Sequence, residues 1–250
     1  MVIDFNEKAK DKKIFKRLEE HYTYIKQFYP EDQILGIFLY GSQNYGTDTE
    51  NSDVDTKLIL VPNLKEVCFS VPVSKEYRME NDEHCEVKDI RDIIKNFRKQ
   101  NINFIEILYT KYCIINPKYA ELWKKLTLIK ESISHYDITK CVRSISGQAE
   151  HTLKQNPEDN KKISNGLRLF FFLNNYLAGK EYQDCLVLPF EERQYLKQLK
   201  NNEVKYDKDV NNLIDFFAKM KNESYPDIFP KDSIDEAMEY IVLQMIKLNF

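Results

Sequence analysis

Glycine and proline are scarce in this sequence, with six and eight positions in 250 residues. Disordered and low-complexity chains are rich in these residues and poor in apolar ones, whereas 42% of the residues here are hydrophobic. The composition therefore excludes a long unstructured chain. A chain of this length can bury a sizeable core, and we expect two small domains or one lobed domain.

Long apolar runs and paired cysteines are also missing. No segment reaches about 18 uninterrupted apolar residues, and the stretch MVIDFNEKAKDKKIFKRL lacks the continuous apolar core of a signal peptide. The five cysteines are odd in number and form no C-x-x-C pair, which argues against a disulfide framework or a zinc site. We therefore expect a soluble cytoplasmic protein with no membrane partner.

The sequence has no large excess of charge of either sign. Its 37 basic and 40 acidic residues give a formal net charge of −3. Proteins that hold nucleic acid nonspecifically do so through an overall basic field, which this chain lacks. Any contact with a nucleic acid must therefore come from a local basic patch.

The most informative stretch that is present runs over residues 36–62, GIFLYGSQNYGTDTENSDVDTKLILVP. An apolar run over residues 34–40 predicts a buried strand, and a second strand is predicted to begin at Ser52. Because side chains alternate along a strand, Asp53 and Asp55 are expected on the same face. Two adjacent carboxyl groups resist ionising together unless a cation lies between them. The spacing therefore predicts a divalent metal site.

The loop between these two strands has the features of a phosphate-binding turn. Gly41 permits close approach of the backbone, Ser42 offers a hydroxyl and a backbone donor, and Gly46 allows a second tight conformation. Either motif alone is more typical of an ordinary turn or cap. Together they place an anion-binding turn beside a carboxylate pair, which suits a triphosphate chelated by Mg²⁺.

Helical and strand patterns surround this stretch. Residues 11–28 carry apolar side chains at helical spacing, and residues 85–90 predict a further strand. Asp89 is placed to cap the helix that follows this strand. Near the C-terminus, Ser233 and Glu236 have the spacing of a capping box at the start of a helix.

The character of the chain changes beyond Pro117, where long helical patterns replace the strand-like alternation. A turn is expected at residues 179–184, between two of these helices. We therefore predict an α+β fold. An N-terminal α/β module over residues 1–116, a small mixed sheet with flanking helices, precedes a helical module over residues 117–250.

The central stretch resembles the nucleotidyltransferases of the DNA polymerase β superfamily. Their signature is a strand, Gly-Ser, a short helix or loop, a D-x-D pair on the next strand, and a third carboxylate on a later strand. Here Gly41-Ser42 match the first motif, Asp53 and Asp55 match the pair, and Glu86 matches the third acid. Asp89 is the competing candidate for the third acid, but it is also placed as a helix cap. The resemblance implies a nucleotidyltransferase-type α/β module.

More narrowly, GSQNYG followed by NSDVD resembles a branch of predicted nucleotidyltransferases of bacteria and their phages, some associated with RNA repair. Members carry Tyr-Gly after the Gly-Ser and a serine before the D-x-D pair. Lys161 and Arg168 match a lysine-to-arginine spacing on a helix of that branch, and seven residues place them on one helix face. The nucleotide-binding residues implied by the resemblance are Gly41, Ser42, Tyr45, Gly46, Ser52, Lys161 and Arg168.

The resemblance implies a Mg²⁺-dependent enzyme, with Mn²⁺ as an alternative ion, that transfers a nucleoside monophosphate from ATP or another NTP. The acceptor would be a hydroxyl of an RNA end, a small molecule or a protein, and pyrophosphate would leave. Asp53, Asp55 and Glu86 would be both the metal ligands and the catalytic residues. Glutamate replaces the aspartate usual at the third position, so a catalytically silent nucleotide-binding or partner-binding module is the alternative. The motif specifies neither the base, nor the acceptor, nor the oligomeric state.

Other titratable residues near these motifs are expected to have structural roles. Asp82 and Glu83 are predicted to lie in a solvated turn, and His84 to be a neighbour of Glu86 rather than a ligand. His21, beside the apolar stripe of the first helix, is predicted to have a packing or surface role.

Overall fold

Five strands form the sheet of this protein, described here from a computed structural model of residues 5–50, 52–79 and 82–250. The spatial order is β3-β4-β2-β1-β5. The β2–β4 pair is parallel, and the other three neighbouring pairs are antiparallel. The sheet is therefore mixed, as predicted. Its strands are β1 (Ile34–Leu39), β2 (Thr56–Leu60), β3 (Ser74–Arg78), β4 (His84–Asp89) and β5 (Cys113–Ile115).

Helices flank the sheet and make up almost all of the C-terminal half. Short connections and apolar stripes at helical spacing explain why successive helices pack side by side. In the described ranges the α-helices are α1 (Phe5–Ile25), α2 (Ser42–Tyr45), α3 (Leu64–Phe69), α4 (Ile90–Arg98), α5 (Ile102–Ile105), α6 (Ala120–Leu128), α7 (Lys130–Ser134), α8 (Ile138–Gln155), α9 (Asn160–Leu177), α10 (Tyr182–Leu186), α11 (Phe190–Lys200), α12 (Val210–Met220) and α13 (Lys231–Lys247).

The two faces of the sheet bury separate hydrophobic clusters. One cluster joins Leu18 of α1 to Ile37 and Leu58, on neighbouring strands. The other begins with Phe38 and Ile59 and continues through the C-terminal helices to Ile246. Sheet and helices thus share a core, and the chain has a mixed α+β fold. The division between residues 116 and 117 stays a prediction.

The structure differs from the sequence-based expectation at three element boundaries. Strand β2 begins at Thr56, so Asp53 and Asp55 lie in the irregular segment before it and not on the strand. Helix α13 begins at Lys231 after Pro230, and Ser233 therefore lies inside the helix and cannot act as the predicted cap. Helix α10 begins at Tyr182 and so occupies the second half of the predicted turn at residues 179–184, because its buried side chains pack into the helical core.

The cap predicted at Asp89 is confirmed. Its carboxylate accepts the backbone N–H of Arg91 at 2.8 Å, in the first turn of α4. Within the described ranges, no helix combines the length and apolarity that a membrane span requires.

Candidate functional site

The Gly41-Ser42 turn and the two aspartates lie side by side at one end of the sheet. Strand β1 ends at Leu39, and the next N–H, that of Tyr40, donates to the carbonyl of Asp55 at 3.2 Å. The turn after β1 and the segment before β2 therefore leave the sheet together. They line a cleft of about 500 Å³, called here the acid-pair cleft, which is completed by Lys161 and Asn165 of α9 and Lys200 of α11.

Asp53 and Asp55 form the carboxylate pair of this cleft. Asp53 is exposed and Asp55 is half-buried. Burial raises the pKa of Asp55; a backbone N–H of His84 opposes the rise, and the nearby Asp53 adds to it. A Cβ added to Gly41 would lie 3.9 Å from Oδ2 of Asp55, so the turn and this carboxylate are neighbours at van der Waals distance.

The donor set of this pair fits a hard divalent cation. Among the residues that the structure describes, no basic side chain forms an ion pair with Asp53 or Asp55. Apart from the backbone N–H of His84 that bonds to Asp55, their carboxylates are therefore not held by a charged partner. Mg²⁺ is commonly held by one or two carboxylates, with substrate phosphates and water completing its shell. The two aspartates are the residues that would hold such an ion.

Glu86 is held by a buried lysine. Because β2 and β4 are parallel, Lys57 and Glu86 are register partners, and Lys57 Nζ lies 2.8 Å from Glu86 Oε2. The hydroxyl of Tyr40 donates to Oε1 at 3.0 Å. Burial acts to raise the pKa of Glu86, but Lys57 and Tyr40 outweigh it and hold this pKa below its usual value.

The structure does not gather three acids around one point. No group of three His, Cys, Asp or Glu side chains in residues 5–50, 52–79 and 82–250 is placed to share a metal ion. Asp89, the competing third acid, holds the guanidinium of Arg91 at 2.7 Å as well as capping α4. The role of Glu86 as a third metal ligand stays a prediction.

Glu106 fixes the Gly41-Ser42 turn from behind. This buried carboxylate accepts the N–H of Gly41 at 3.1 Å and Nδ2 of Asn44 at 3.2 Å. Burial raises its pKa, and the nearby Arg168 acts in the opposite direction. The Gly41 N–H is therefore occupied, and the predicted phosphate-binding turn lacks this donor.

Lys161 and Arg168 have different environments although they lie two turns apart on α9. Lys161 is exposed and lines the acid-pair cleft. Arg168 is buried, with its guanidinium carbon 4.0 Å from the centre of the Tyr45 ring. Lys161 therefore borders the acid-pair cleft, whereas Arg168 packs behind the turn.

Ser52 and Gly46 connect the loop to α11. The hydroxyl of Ser52 accepts the N–H of Thr49 at 2.9 Å and lies 3.2 Å from Lys200 Nζ. Gly46 has a positive φ of 75°, and a Cβ there would lie 2.6 Å from Nη1 of Arg193. The loop therefore contacts α11 at both ends, and a larger residue at position 46 would displace Arg193.

Glu83 is buried, which contradicts its predicted place in a solvated turn. Its Oε1 accepts the N–H of Val54 at 3.2 Å, and its Oε2 bonds to the guanidinium of Arg17 and to His21 Nε2 at 3.0 Å. The other ring nitrogen of His21 lies 2.8 Å from Thr56 Oγ1. Because Val54 lies between the two aspartates, this network fixes the backbone of the acid pair. Its hydrogen bonds join residues that are 29 to 66 positions apart along the chain, which is why local pattern did not show it.

His21 makes stability depend on pH. Burial lowers the pKa of His21, and the nearby Arg17 lowers it further. The carboxylates of Glu83 and Glu20 act in the opposite direction. In the unfolded chain His21 takes up a proton below about pH 6.5, whereas in the folded chain it does so only at lower pH. The contribution of neutral His21 to the free energy of unfolding is therefore complete above about pH 6.5 and is lost as pH falls. The slope is at most about 1.4 kcal/mol per pH unit.

We expect His21→Gln to reduce this slope. The measurement is the free energy of unfolding in urea at pH 8, 7, 6 and 5.5, for the natural chain and the variant. Parallel profiles for the two proteins would contradict the expectation.

Gly41 has a backbone conformation that other residues rarely adopt, with φ 84° and ψ −158°. An added Cβ would make only an ordinary contact with Asp55, so the cost of Gly41→Ala is backbone strain, on the order of 1–3 kcal/mol. Gly147, on α8, has open space around it, and Gly147→Ala is the control, with an expected gain of about 1 kcal/mol. Urea unfolding of both variants checks this; equal stability changes would contradict it.

Several residues around the cleft were not predicted from the sequence. Lys57 was detectable as the only charge within an apolar strand, TKLIL. The cations of α11 were detectable by their helical spacing, whereas Glu106 carried no local signal. The unpredicted residues are Lys57, Glu106, Asn165, Arg193, Lys197 and Lys200.

Comparisons with known proteins add little to this geometry. No protein-family profile matches the chain, and no curated protein matches it. One solved structure is described as a nucleotidyltransferase-like protein from Exiguobacterium sibiricum 255-15. Its alignment with this protein covers 94% of this chain and 77% of the other chain. The sequence identity is 12% and the TM-score 0.30, a likeness too weak to establish a family.

Proposed function

We propose that the protein is a nucleotidyltransferase, which transfers a nucleoside monophosphate from an NTP to a hydroxyl acceptor and releases pyrophosphate. One observation carries the proposal. The Gly41-Ser42 turn, the Asp53 and Asp55 pair and the amino groups of Lys161 and Lys200 line a single cleft. A triphosphate chelated to a divalent cation requires carboxylates and cationic donors side by side.

The protein groups act by positioning and by charge. Lys161 and Lys200 stabilise negative charge on the phosphates, and the hydroxyl of Ser42 contacts a phosphate oxygen. The acceptor oxygen forms a bond to the α-phosphorus as the bond between this atom and the bridging oxygen of pyrophosphate breaks. The acceptor proton passes to solvent or to a nearby carboxylate. No covalent intermediate with the protein is needed.

The two aspartates would hold the divalent ion, Mg²⁺ or Mn²⁺. When bound, the ion offsets phosphate charge and lowers the pKa of the attacking hydroxyl. Asp53 and Asp55 keep their orientation through the Val54 N–H, which Glu83 accepts. The acid pair is thus positioned by the backbone rather than by an ion pair of its own.

A second candidate function rests on the engagement of Glu86. With its carboxylate between Lys57 and Tyr40, the third acid of the family pattern is committed to a structural contact. A module that binds an NTP without transferring it would have this arrangement.

Radiolabelled transfer tests the proposal. The purified protein is incubated with each α-labelled NTP, with Mg²⁺ or with EDTA, and with a cell lysate separated into RNA, protein and small molecules. We expect label to enter one fraction, only with Mg²⁺. Saturable NTP binding without label in any fraction would overturn transfer and support the binding module.

A further inference from the structure

Helix α11 carries three cations on one face. Arg193, Lys197 and Lys200 follow the spacing i, i+4, i+7, so they lie on one side of the helix over a length of about 10 Å. We call these three residues the α11 basic row. The neighbouring Leu196 and Leu199 are fully buried and fix which side of the helix faces outward.

The α11 basic row follows the loop that leads to the acid pair. Arg193 contacts Gly46, Lys197 Nζ lies 3.9 Å from Asp48 Oδ1, and Lys200 Nζ lies 3.2 Å from Ser52 Oγ. Each cation lines a different cavity along this loop, and Lys200 lines the acid-pair cleft itself. Neighbouring cavities share lining residues, Lys10 and Gln43 at one junction and Thr49 and Asn201 at the other, so the three lie in series along a path that leads to the proposed reaction site.

The three cations of the α11 basic row differ in how far their charge is paired with carboxylates. The Arg193 side chain has no hydrogen bond or ion pair with any residue in the described parts of the chain, and its Nε is buried without a partner. In the middle, Asp48 is paired with Lys10 at 2.6 Å as well as facing Lys197. The carboxylates of Glu50 and Glu203 also line this middle cavity. Unpaired positive charge is therefore greatest at Arg193, the end of the path that lies away from the acid pair, whereas at the other end Lys161 and Lys200 lie in the same cleft as Asp53 and Asp55.

Aromatic side chains surround Arg193 at the far end. A cavity of about 680 Å³ there, called the aromatic pocket, has no carboxylate among its lining residues. Phe190 is 61% exposed at the start of α11. The pocket is lined by Tyr45, Tyr109, Tyr112, Phe190, Arg193 and Lys111, the last of which pairs with Asp11.

A groove that combines a row of cations with an aromatic pocket suits an unpaired nucleic-acid strand. Phe190 is the exposed ring of this pocket, whereas Tyr109 and Tyr112 are buried in its wall. The cations contact successive phosphates, and the Phe190 ring stacks on a base, whose face a duplex does not expose. A small anionic acceptor would need only one of these cavities. The net charge of −3 excluded a general basic field, whereas this path is a local one.

We propose that the α11 basic row and the aromatic pocket bind single-stranded nucleic acid, and that the strand runs along α11 so that its terminal hydroxyl reaches the acid-pair cleft. The proposal rests on the proposed function for the role of that hydroxyl, but strand binding itself needs neither NTP nor metal.

Fluorescence anisotropy with 5′-labelled 12-nucleotide oligo(U) and oligo(dT), in EDTA and without NTP, tests the binding. We expect Arg193→Ala with Lys197→Ala to weaken binding roughly tenfold or more. Two lost phosphate contacts reduce the slope of log affinity against log salt by about 1.4 for a single strand. Lys200 is left unchanged because it belongs to the acid-pair cleft.

Matched variants separate this proposal from others. Lys124→Ala with Lys125→Ala removes the same charge from the exposed side of α6 and should leave affinity unchanged. Arg193→Lys with Lys197→Arg should retain strand binding, which distinguishes lost charge from lost folding. Asp53→Asn with Asp55→Asn should also retain it even where transfer is lost, so failure of the two proposals is distinguishable.

Three results would overturn the proposal. One is equal affinity of the natural chain and the Arg193→Ala, Lys197→Ala variant for the strand. Another is that the natural chain binds a duplex of the same length as tightly as it binds the single strand. The third is displacement of the strand by polyglutamate as effectively as by unlabelled oligonucleotide, which would indicate an acidic peptide site.

Discussion

Replacing Asp53 and Asp55 together with asparagine is expected to abolish nucleotide transfer while the protein remains folded. Asparagine keeps the size of each side chain but removes the charge that would bind a divalent ion. The loss should be roughly a thousandfold or more, which corresponds to about 4 kcal/mol of transition-state stabilisation. Label incorporation from the α-labelled NTP that the natural chain uses is the measurement.

Stability should respond in the opposite way to activity. In the described ranges neither aspartate has an ion-pair partner, and each lies close to the other. Removing the two charges therefore takes away their mutual repulsion and breaks no ion pair. We expect the free energy of unfolding of the double variant to equal or exceed that of the natural chain, as is common where a site is arranged for function.

The control for this variant removes two acids that are exposed and distant. Asp215→Asn with Glu236→Gln changes the net charge equally on α12 and α13. Transfer by this control should match that of the natural chain. If Asp53→Asn with Asp55→Asn retained full transfer, the acid pair would not be the metal site and the proposed function would fail.

Replacing Lys57 with methionine is expected to destabilise the fold strongly. The ammonium group is fully buried, pairs with Glu86 at 2.8 Å, and lies 4.2 Å and 4.3 Å from the centres of the Tyr40 and Phe104 rings. Methionine fills similar volume but leaves Glu86 without its cation. Breaking a buried pair by removing one partner costs about 3–5 kcal/mol. Because Glu86 is partly exposed, we expect the loss for Lys57→Met to lie at the lower end of this range, about 3 kcal/mol.

A double variant identifies the source of that loss. In Lys57→Met with Glu86→Gln the buried ammonium and its carboxylate are removed together, and the hydroxyl of Tyr40 still has an acceptor. Lys88, 3.7 Å from Glu86 Oε2, loses this contact but still donates to Ser74 Oγ at 2.8 Å. We expect it to recover part of the stability lost in Lys57→Met, as measured by urea unfolding at pH 7. A double variant less stable than the sum of its single variants would contradict the ion-pair explanation.

An exposed pair provides the comparison for Lys57. Lys154 Nζ lies 2.7 Å from Glu150 on the surface of α8, where the lysine side chain is 57% exposed. Lys154→Met should cost no more than about 0.5 kcal/mol, because solvent screens such pairs. The contrast tests whether burial, and not distance, determines the importance of the Lys57 contact.

The ion pair with Lys57 also helps to decide between two roles for Glu86. The lowered pKa of Glu86 means that its ion pair stabilises the fold above about pH 4.5 and that this contribution is lost as pH falls below it. The same carboxylate cannot hold Lys57 and a metal ion with full strength at once. Glu86→Gln therefore distinguishes the two roles: a structural role lowers stability, whereas a metal-ligand role lowers transfer at unchanged stability.

Much of the fold and part of the candidate site followed from the sequence. Apolar runs and turn residues determine strands locally, so the order strand, Gly41-Ser42, loop, acid pair and strand was predictable. The α+β fold and the Asp89 cap were predictable for the same reason, since a cap bonds to a backbone N–H only two residues away. The place where β2 begins was less predictable, because extended residues that pair with no neighbouring strand have the same sequence pattern as a strand.

Only the tertiary structure decided how the charged groups are paired. Glu86 meets Lys57 across 29 residues, Gly41 meets Glu106 across 65, and Ser52 meets Lys200 across 148. Side-chain type and spacing show that a charge exists, but packing determines whether a partner, a ring or open space lies beside it. The sequence by itself therefore determined which groups stand at the Gly41-Ser42 turn and the acid pair. The fold decided that Glu86 and Arg168 are held by neighbours and that the cations of α11 line the path to the cleft.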